Sequence, residues 1–371
     1  MKVLIIWGQC IGVNPVMGIL QKDVSKIRFT RFSWKFLLAL TMAIVQIIGT
    51  ALCIYRLFRN PSLSALGFVT FFTTVCLTTI LFLRIAPKWP ALMKELANAR
   101  LDEYIHPRIV KRCNTACVVF MGMAIIEHGM AIVSRLARIL ECSTDVPNVG
   151  EVFVKVASPW LYELNIPYVT ALGVIYLNLV ATATWNYGDV FIVCMSLYLT
   201  SILEQINKRI ALTASKKGLN PGYKLSLEDY TRATNLVKLF DDVFSGIVLV
   251  IFANDLFFIC MQLYNVLLKV TSSFKLQKNI SPYSVFRIYL YPAYLTYSVV
   301  YLFVRFLTVA LVASGVNAAS LVPLPVLYSV PTTSYSKEVE RFQNQINGDT
   351  VALSGLHFFY ITRDLVLTVS T

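Results

Sequence analysis

The chain has few charged residues for its length. Only 14% of its 371 residues are charged, whereas 57% are hydrophobic, and a soluble protein typically carries about 25% charged residues. The hydrophobic residues are grouped in long blocks, which indicates membrane-spanning helices rather than one buried soluble core. The composition therefore excludes an ordinary soluble domain and predicts an all-α integral membrane protein.

Sequence motifs of catalysis and of metal binding are absent. No glycine-rich phosphate loop, no Cys/His cluster with metal-ligand spacing and no nucleophile–base constellation stands out. Of the eight cysteines, we expect only Cys142 to face outward, so no extracellular disulfide framework is predicted. Residues 1–20 lack a charged start and a clear cleavage site, which argues against a cleaved signal peptide. We predict a protein that is not an enzyme and binds no metal and no cofactor.

Six hydrophobic blocks are long enough to cross the hydrocarbon core, which needs about 20 helical residues. We place the spans at about 36–55, 64–83, 113–134, 169–203, 243–268 and 288–312. The fourth block has no Lys or Arg and could be two short spans split at residues 186–189. That split would put the next basic loop on the wrong side of the membrane. We therefore predict one long fourth helix that projects into the cytoplasm.

The net charge of +13 is concentrated in the loops. Basic residues cluster before span one, after span two and after span four, whereas the loop after span three has mixed charge. Because basic loops stay in the cytoplasm, the N-terminus is predicted to be cytoplasmic. The same distribution argues against nucleic acid as a partner. The sequon at Asn279 then lies in an outer loop, where we predict glycosylation.

Polar and aromatic residues inside the spans are the candidates for a ligand site, since they are costly there unless they have a use. Carboxylates and amides hydrogen-bond hydroxyl groups, and an indole ring packs against the C–H face of a pyranose. Interhelical hydrogen bonding is the alternative for each polar residue. Arg305 is expected to snorkel to the inner interface, and Asp189 to be structural. The predicted ligand-binding residues are Glu127, His128, Trp185, Asn254, Asp255 and Gln262.

Several stretches resemble the sugar-receptor branch of the insect gustatory receptors. They are QCIGVNPVMGI and KIRFTRFSWK near the start, IIEHGMAIVSR in span three, TWNYGDVFIVCMSLYLTSILEQINKRI in span four, FANDLFFICMQLYNVLL in span five and VPTTSYSKEVERFQNQINGDTVALSGLHFFYITRDLVLTVS at the end. The resemblance covers almost the whole chain. It implies a seven-helix bundle with a cytoplasmic N-terminus, in the plasma membrane of taste neurons. It also implies a sugar-gated cation channel, tetrameric alone or with other gustatory receptors and in contact with membrane lipid.

In that family the seventh helix has two parts, and the resemblance implies the same here. Residues 1–35 would form a cytoplasmic N-terminal segment, residues 36–312 the six-span bundle, and residues 313–371 an anchor segment with the cytoplasmic half of helix seven. We expect Phe342 and Ile346 to form the apolar stripe of a short helix, and Asp349 to begin another through 356–359. The pore-lining half with its Thr-Tyr and Gln-Phe signature does not follow in this sequence, so we expect this chain to lack that element.

Three other functions remain for comparison. A secondary transporter would use Glu127, His128 and Asp255 as a proton relay, but it predicts an inverted repeat and none is visible in the sequence. A receptor subunit that regulates without conducting is the second. A G-protein-coupled receptor is disfavoured by six apparent spans with a cytoplasmic N-terminus and by the lack of an outer cysteine pair.

Overall fold

The computed structural model describes residues 2–19, 21, 23–142, 169–215, 221–273, 285–331 and 335–370. Within these ranges the chain is helical, with eleven α-helices and short 3₁₀ turns. In chain order the helices are α1 (Lys2–Cys10), α2 (Trp34–Arg59), α3 (Leu63–Ile85), α4 (Trp89–Asn98), α5 (Ile109–Cys142), α6 (Val169–Ser215), α7 (Pro221–Ser273), α8 (Val285–Leu321), α9 (Pro323–Tyr328), α10 (Lys337–Gly348) and α11 (Arg363–Ser370).

Six of these helices are long and apolar enough to cross a membrane, namely α2, α3, α5, α6, α7 and α8. This confirms the prediction of an all-α membrane protein with six spanning helices. The fourth span is a single unbroken helix of 47 residues, as predicted. We call the end of the bundle that holds α1, α4, α9 and α10 the inner end, and the opposite end the outer end.

Helix α6 is the centre of the bundle. In the most apolar stretch of α6, 72% of the residues are buried, against 33% in the corresponding stretches of α2 and α3. Helix α6 packs against α5, α7 and α8. The side chains of Leu203, Ile206 and Ile210 on it have no exposed surface. Polar residues on α6 therefore face other helices rather than lipid, which makes them the natural members of an interior site.

The starts of α2 and α3 are fixed by serine caps. The Ser33 side chain accepts a hydrogen bond from the Phe36 N–H, and the Ser62 side chain accepts one from the Ala65 N–H. Such caps satisfy N–H groups that the first helical turn leaves without a partner. Because only residues 60–62 separate the two helices, α2 and α3 pack against each other as a helical hairpin.

The inner end is held together by charged groups around Asp229 on α7. The Tyr104 hydroxyl and a nitrogen of Arg209 both contact its Oδ2, and Arg232 pairs with its Oδ1. Burial, reinforced by the Asp229 carboxylate, raises the pKa of Tyr104, so its hydroxyl stays a donor. This cluster ties the segment between α4 and α5 to α6 and α7.

The segment after α10 differs from the prediction. Asp349 ends α10 instead of beginning a new helix, and helix α11 starts only at Arg363. Between them the Ser354 backbone N–H and hydroxyl donate to Asp241 on α7, at 2.5 and 2.7 Å, while Leu356 and His357 have φ angles of 49° and 59°. A helix through 356–359 was wrong because these tertiary contacts and left-handed residues break it. The predicted stripe on α10 is confirmed, since Phe342 and Ile346 are buried.

Candidate functional site

A cavity of about 510 Å³ lies in the outer half of the bundle. It is bounded by the beginnings of α3, α6 and α8 and by the outer halves of α5 and α7. This volume falls within the range of roughly 300–1,000 Å³ that is usual for small-molecule sites. Four of the six predicted ligand-binding residues line it, namely Glu127, His128, Trp185 and Gln262.

One wall of the cavity comes from a single face of α5. Glu127, His128, Ser134 and Arg135 all line it, and their spacing of three to four residues or multiples of it brings them to one side of a helix. Glu127 and His128 are half-buried, and Ser134 is buried. A carboxylate, an imidazole and a guanidinium thus line one small cavity, and such ionisable groups are rare at membrane depth.

A chain of hydrogen bonds crosses the cavity from α7 through α8 to α5. The Gln262 side-chain amide donates to the Ser298 hydroxyl at 3.2 Å, and that hydroxyl donates to Glu127 Oε1 at 3.0 Å. Ser298 is 5% exposed, so the chain is shielded from lipid. The carboxylate, hydroxyl and amide are held in one orientation, which is the arrangement required to bind a ligand with several hydroxyl groups.

The floor of the cavity is a buried ionic cluster around Arg305 on α8. Its Nη2 donates to Asp255 Oδ1 at 2.7 Å, and its Nε lies 3.2 Å from Asp189 Oδ2. Its Nη1 donates to Asn186 Oδ1 at 3.1 Å, and the Tyr301 hydroxyl donates to the same oxygen at 2.9 Å. Arg305 itself is 3% exposed. The cluster therefore joins α6, α7 and α8 directly beneath the cavity.

Trp185 is part of this floor as well as of the cavity wall. The Arg305 guanidinium carbon lies 4.3 Å from the centroid of its ring system, and the indole N–H donates to Asp255 Oδ1 at 3.3 Å. The rings of Phe71 and Phe258 are 5.7 and 5.0 Å from it. The ring face beside Arg305 is thus occupied by a cation and is not open for stacking on a sugar.

The two other predicted site residues lie behind the cavity. Asp255 does not line it, but contacts it indirectly through Trp185 and Arg305. Asn254 is 3% exposed, and neither polar atom of its side chain has a hydrogen-bond partner among the described residues. The predicted glycosylation site at Asn279 lies outside the residues that the structure describes, and the outward orientation expected for Cys142 stays a prediction.

Sequence reasoning missed Arg305 and Ser298. The expectation that Arg305 snorkels was wrong, because span six was ended at Val312 whereas α8 continues to Leu321, which puts Arg305 more than four turns from the inner end of the helix. An arginine this deep needs a partner, and two intramembrane aspartates were the available signal. Ser298 carried no signal, since serine is common in membrane helices.

A bundle of this kind, with six spanning helices around an outer polar cavity, has the architecture of an insect chemoreceptor. The solved structure of the olfactory receptor OR5 from Machilis hrabei in complex with eugenol superposes with a TM-score of 0.68, covering 100% of this chain and 94% of that one at 13% identity. OR5 without that ligand gives a TM-score of 0.67. At this identity the likeness shows the fold, and it confirms the predicted chemoreceptor-type bundle.

The chain belongs to the trehalose receptor family of insect gustatory receptors, whose sequence profile matches residues 1–371. It is 28% identical to the "Gustatory receptor for sugar taste 64a" of Drosophila melanogaster over 96% of this chain and 78% of the relative. It is also 28% identical to the "Gustatory receptor 5a for trehalose" of the same species, over 98% and 79%. The family consists of receptors rather than enzymes, in agreement with the sequence prediction.

Proposed function

We propose that this protein is a sugar receptor whose ligand binds in the outer cavity and gates a cation channel. The observation that carries the proposal is the chain of Gln262, Ser298 and Glu127 along the cavity wall. The relatives support it, because two of them are named for sugar taste and for trehalose. The protein would act in the plasma membrane, surrounded by lipid, with its N-terminus in the cytoplasm and assembled with copies of itself or with other gustatory receptors.

Glu127 and His128 are the groups best placed to bind sugar hydroxyls. Glu127 Oε1 is already taken by Ser298, and the second carboxylate oxygen accepts no hydrogen bond from a described residue. His128 has no hydrogen-bond partner among the described residues either, although it lines the cavity. A carboxylate oxygen and an imidazole nitrogen side by side can serve neighbouring hydroxyls of one ring. Ser298, itself held by Gln262, fixes the Glu127 carboxylate from the opposite wall.

Trp185, Asp255 and Arg305 would contribute by supporting the floor. In these contacts the indole N–H donates to Asp255 and the Arg305 guanidinium covers one face of the ring, while Trp185 still lines the cavity. We therefore assign Trp185 to the shape of the site and Asp255 to its support, while Asn254 has no contact that links it to the ligand. The floor joins α6, α7 and α8, which can pack in more than one arrangement. A sugar that binds better to one arrangement therefore shifts the equilibrium toward that arrangement. A ligand shifts such a balance only by that difference in affinity.

The test is a sugar dose response in cells that express the protein with and without a second gustatory receptor. Ser298→Ala removes the central hydroxyl of the chain, and loss of a buried hydrogen-bond partner costs about 1–3 kcal/mol. We expect the half-maximal sugar concentration to rise by about tenfold, and Glu127→Gln to have a similar effect. Ser314→Ala is the matched control, because Ser314 is also buried on α8 but donates to the Leu311 carbonyl away from the cavity.

An unchanged dose response in Ser298→Ala and Glu127→Gln, with normal surface expression, would contradict the cavity assignment. Sugar uptake without a sugar-gated current would favour the transporter instead of the channel. A response to sugar that requires the second receptor and still depends on Ser298 would assign a regulatory or shared role to this chain.

A further inference from the structure

The start of α5 carries an exposed cluster of cations at the inner end of the bundle. Arg108, Lys111 and Arg112 fall within five residues, and all three are exposed. The first turn of α5 has no acidic residue, and none of the three cations forms an ion pair with a described residue. We call these residues the α5 cation cluster. Like charges this close repel each other, so nearby anions would stabilise the cluster.

Three other cations at the same end of the bundle are neutralised by carboxylates of the protein itself. Arg209 and Arg232 pair with Asp229, and Lys238 pairs with Asp349 at 2.9 Å. The basic character of an inner loop alone, which orients membrane proteins, does not require unpaired cations to be grouped. The α5 cation cluster is therefore a concentration of charge that the described part of the chain leaves without a counterion.

An apolar stripe continues from the cluster along the same face of α5. Val118 and Val119 follow Lys111 and Arg112 by seven residues, and Ile125 and Ile126 follow by fourteen. A seven-residue step returns to nearly the same side of a helix, with a drift of about 20°. The four side chains are 69%, 49%, 66% and 53% exposed. The face thus presents cations at one end and a continuous apolar surface beyond them.

We propose that this face of α5 binds a phosphoinositide from the inner leaflet. Phosphate groups of the lipid contact Arg108, Lys111 and Arg112, and one acyl chain lies along Val118 and Val119. A headgroup with two phosphomonoesters carries about four negative charges at neutral pH, which matches a group of three cations better than the single charge of phosphatidylserine does. Somewhat larger clusters, of about 4–8 Lys and Arg next to the cytoplasmic end of a spanning helix, typically bind such anionic lipids.

The length of the stripe fits the lipid. One leaflet contributes about 15 Å of hydrocarbon, which corresponds to roughly ten helical residues. A chain that starts at the level of Arg112 therefore passes Val118 and Val119 and ends near Gly122. No heavy atom lies within 4 Å of the position that a Cβ on Gly122 would take, so the face is open there. Headgroup and acyl chain are accommodated without any rearrangement of α5.

The test is binding of a fluorescent short-chain phosphatidylinositol 4,5-bisphosphate to the purified full-length protein. Each Lys or Arg near an anionic headgroup changes affinity by about fivefold, so we expect Lys111→Gln/Arg112→Gln to weaken binding by about 25-fold. Lys94→Gln/Lys337→Gln is the matched control, since it removes two exposed cations from α4 and α10 and should leave affinity within twofold. The variant Lys111→Arg should bind as the wild type does.

Two further probes separate the lipid from its headgroup and from other anions. Soluble inositol 1,4,5-trisphosphate should bind at least tenfold more weakly, because it cannot use the apolar stripe. Vesicles of phosphatidylserine should bind more weakly than vesicles with the bisphosphate at equal total charge. Equal binding of either probe, or equal losses in the Gln variants and the control pair, would overturn the proposal.

Discussion

Replacement of Arg305 by Met tests whether the buried ionic cluster is needed for folding. The change removes the only cation that pairs with Asp189 and Asp255 among the described residues while keeping an apolar stem of similar length. Side-chain exposure in the cluster is 2% or less for all three residues, so water cannot replace the lost partner. Both Asp189 carboxylate oxygens already lack a hydrogen-bond partner, which leaves that carboxylate without any compensation.

The expected loss follows from this geometry. Removing one partner of a buried ion pair typically costs about 3–5 kcal/mol, because an uncompensated charge is left behind. The contact of the guanidinium with Trp185, at 4.3 Å, adds about 0.5–2 kcal/mol. With a sensitivity of about 2 °C for each kcal/mol, the midpoint of thermal unfolding should fall by about 7–14 °C.

The assay is thermal unfolding of the detergent-purified protein, followed by its loss from the monodisperse size-exclusion peak. The triple variant Asp189→Asn/Asp255→Asn/Arg305→Met removes all three charges and should recover most of the loss, since a neutral cluster leaves no buried ion. Arg135→Met serves as the control, because Arg135 lines the cavity without an ion pair to a described residue, and should shift the midpoint little. An Arg305→Met midpoint equal to that of the wild type would refute the reasoning.

Two predictions concern the segment before α11. Asp241→Ala removes the acceptor of both Ser354 hydrogen bonds and should speed proteolysis within residues 351–361 at least severalfold. Glu228→Ala, which removes an exposed carboxylate from the same helix, should not; equal cleavage of the two variants would contradict the anchoring role. Gly355→Ala places a Cβ 2.5 Å from the Phe359 ring, so it should destabilise by about 1–3 kcal/mol in the same thermal assay, and an unchanged midpoint would show that the ring moves aside freely.

The number of membrane-spanning helices could be predicted from the sequence. Hydrophobic length alone predicted six spans, and the position of the basic loop after the fourth block favoured one long helix instead of two. The segment after Asp349 was not predictable in this way. Its course depends on Asp241, more than 100 residues earlier, and on the left-handed conformations of Leu356 and His357. No local pattern encodes a contact of that kind.

The site was predictable only in part, and Arg305 shows why. The cost of ionisable groups at membrane depth drew attention to Glu127 and Asp255, but it does not say which groups pair with each other. The pairing depends on which faces of α6, α7 and α8 meet. Once Arg305 was assigned to the membrane interface, the aspartates were left without a partner, and Asp255 was placed in the cavity instead of beneath it.

Access to the cavity, combined with polar atoms that have no hydrogen-bond partner, separates the residues available to a ligand from those that only hold this bundle together. Tyr301, Asn186 and Arg305 use their polar atoms on one another, at 2.9 and 3.1 Å, and a ligand could reach them only by breaking those contacts. Glu127 and His128 border open space and retain atoms without a partner among the described residues. Since an unpaired polar group is costly in an apolar surrounding, its persistence beside a cavity is the physical reason to expect a polar ligand there.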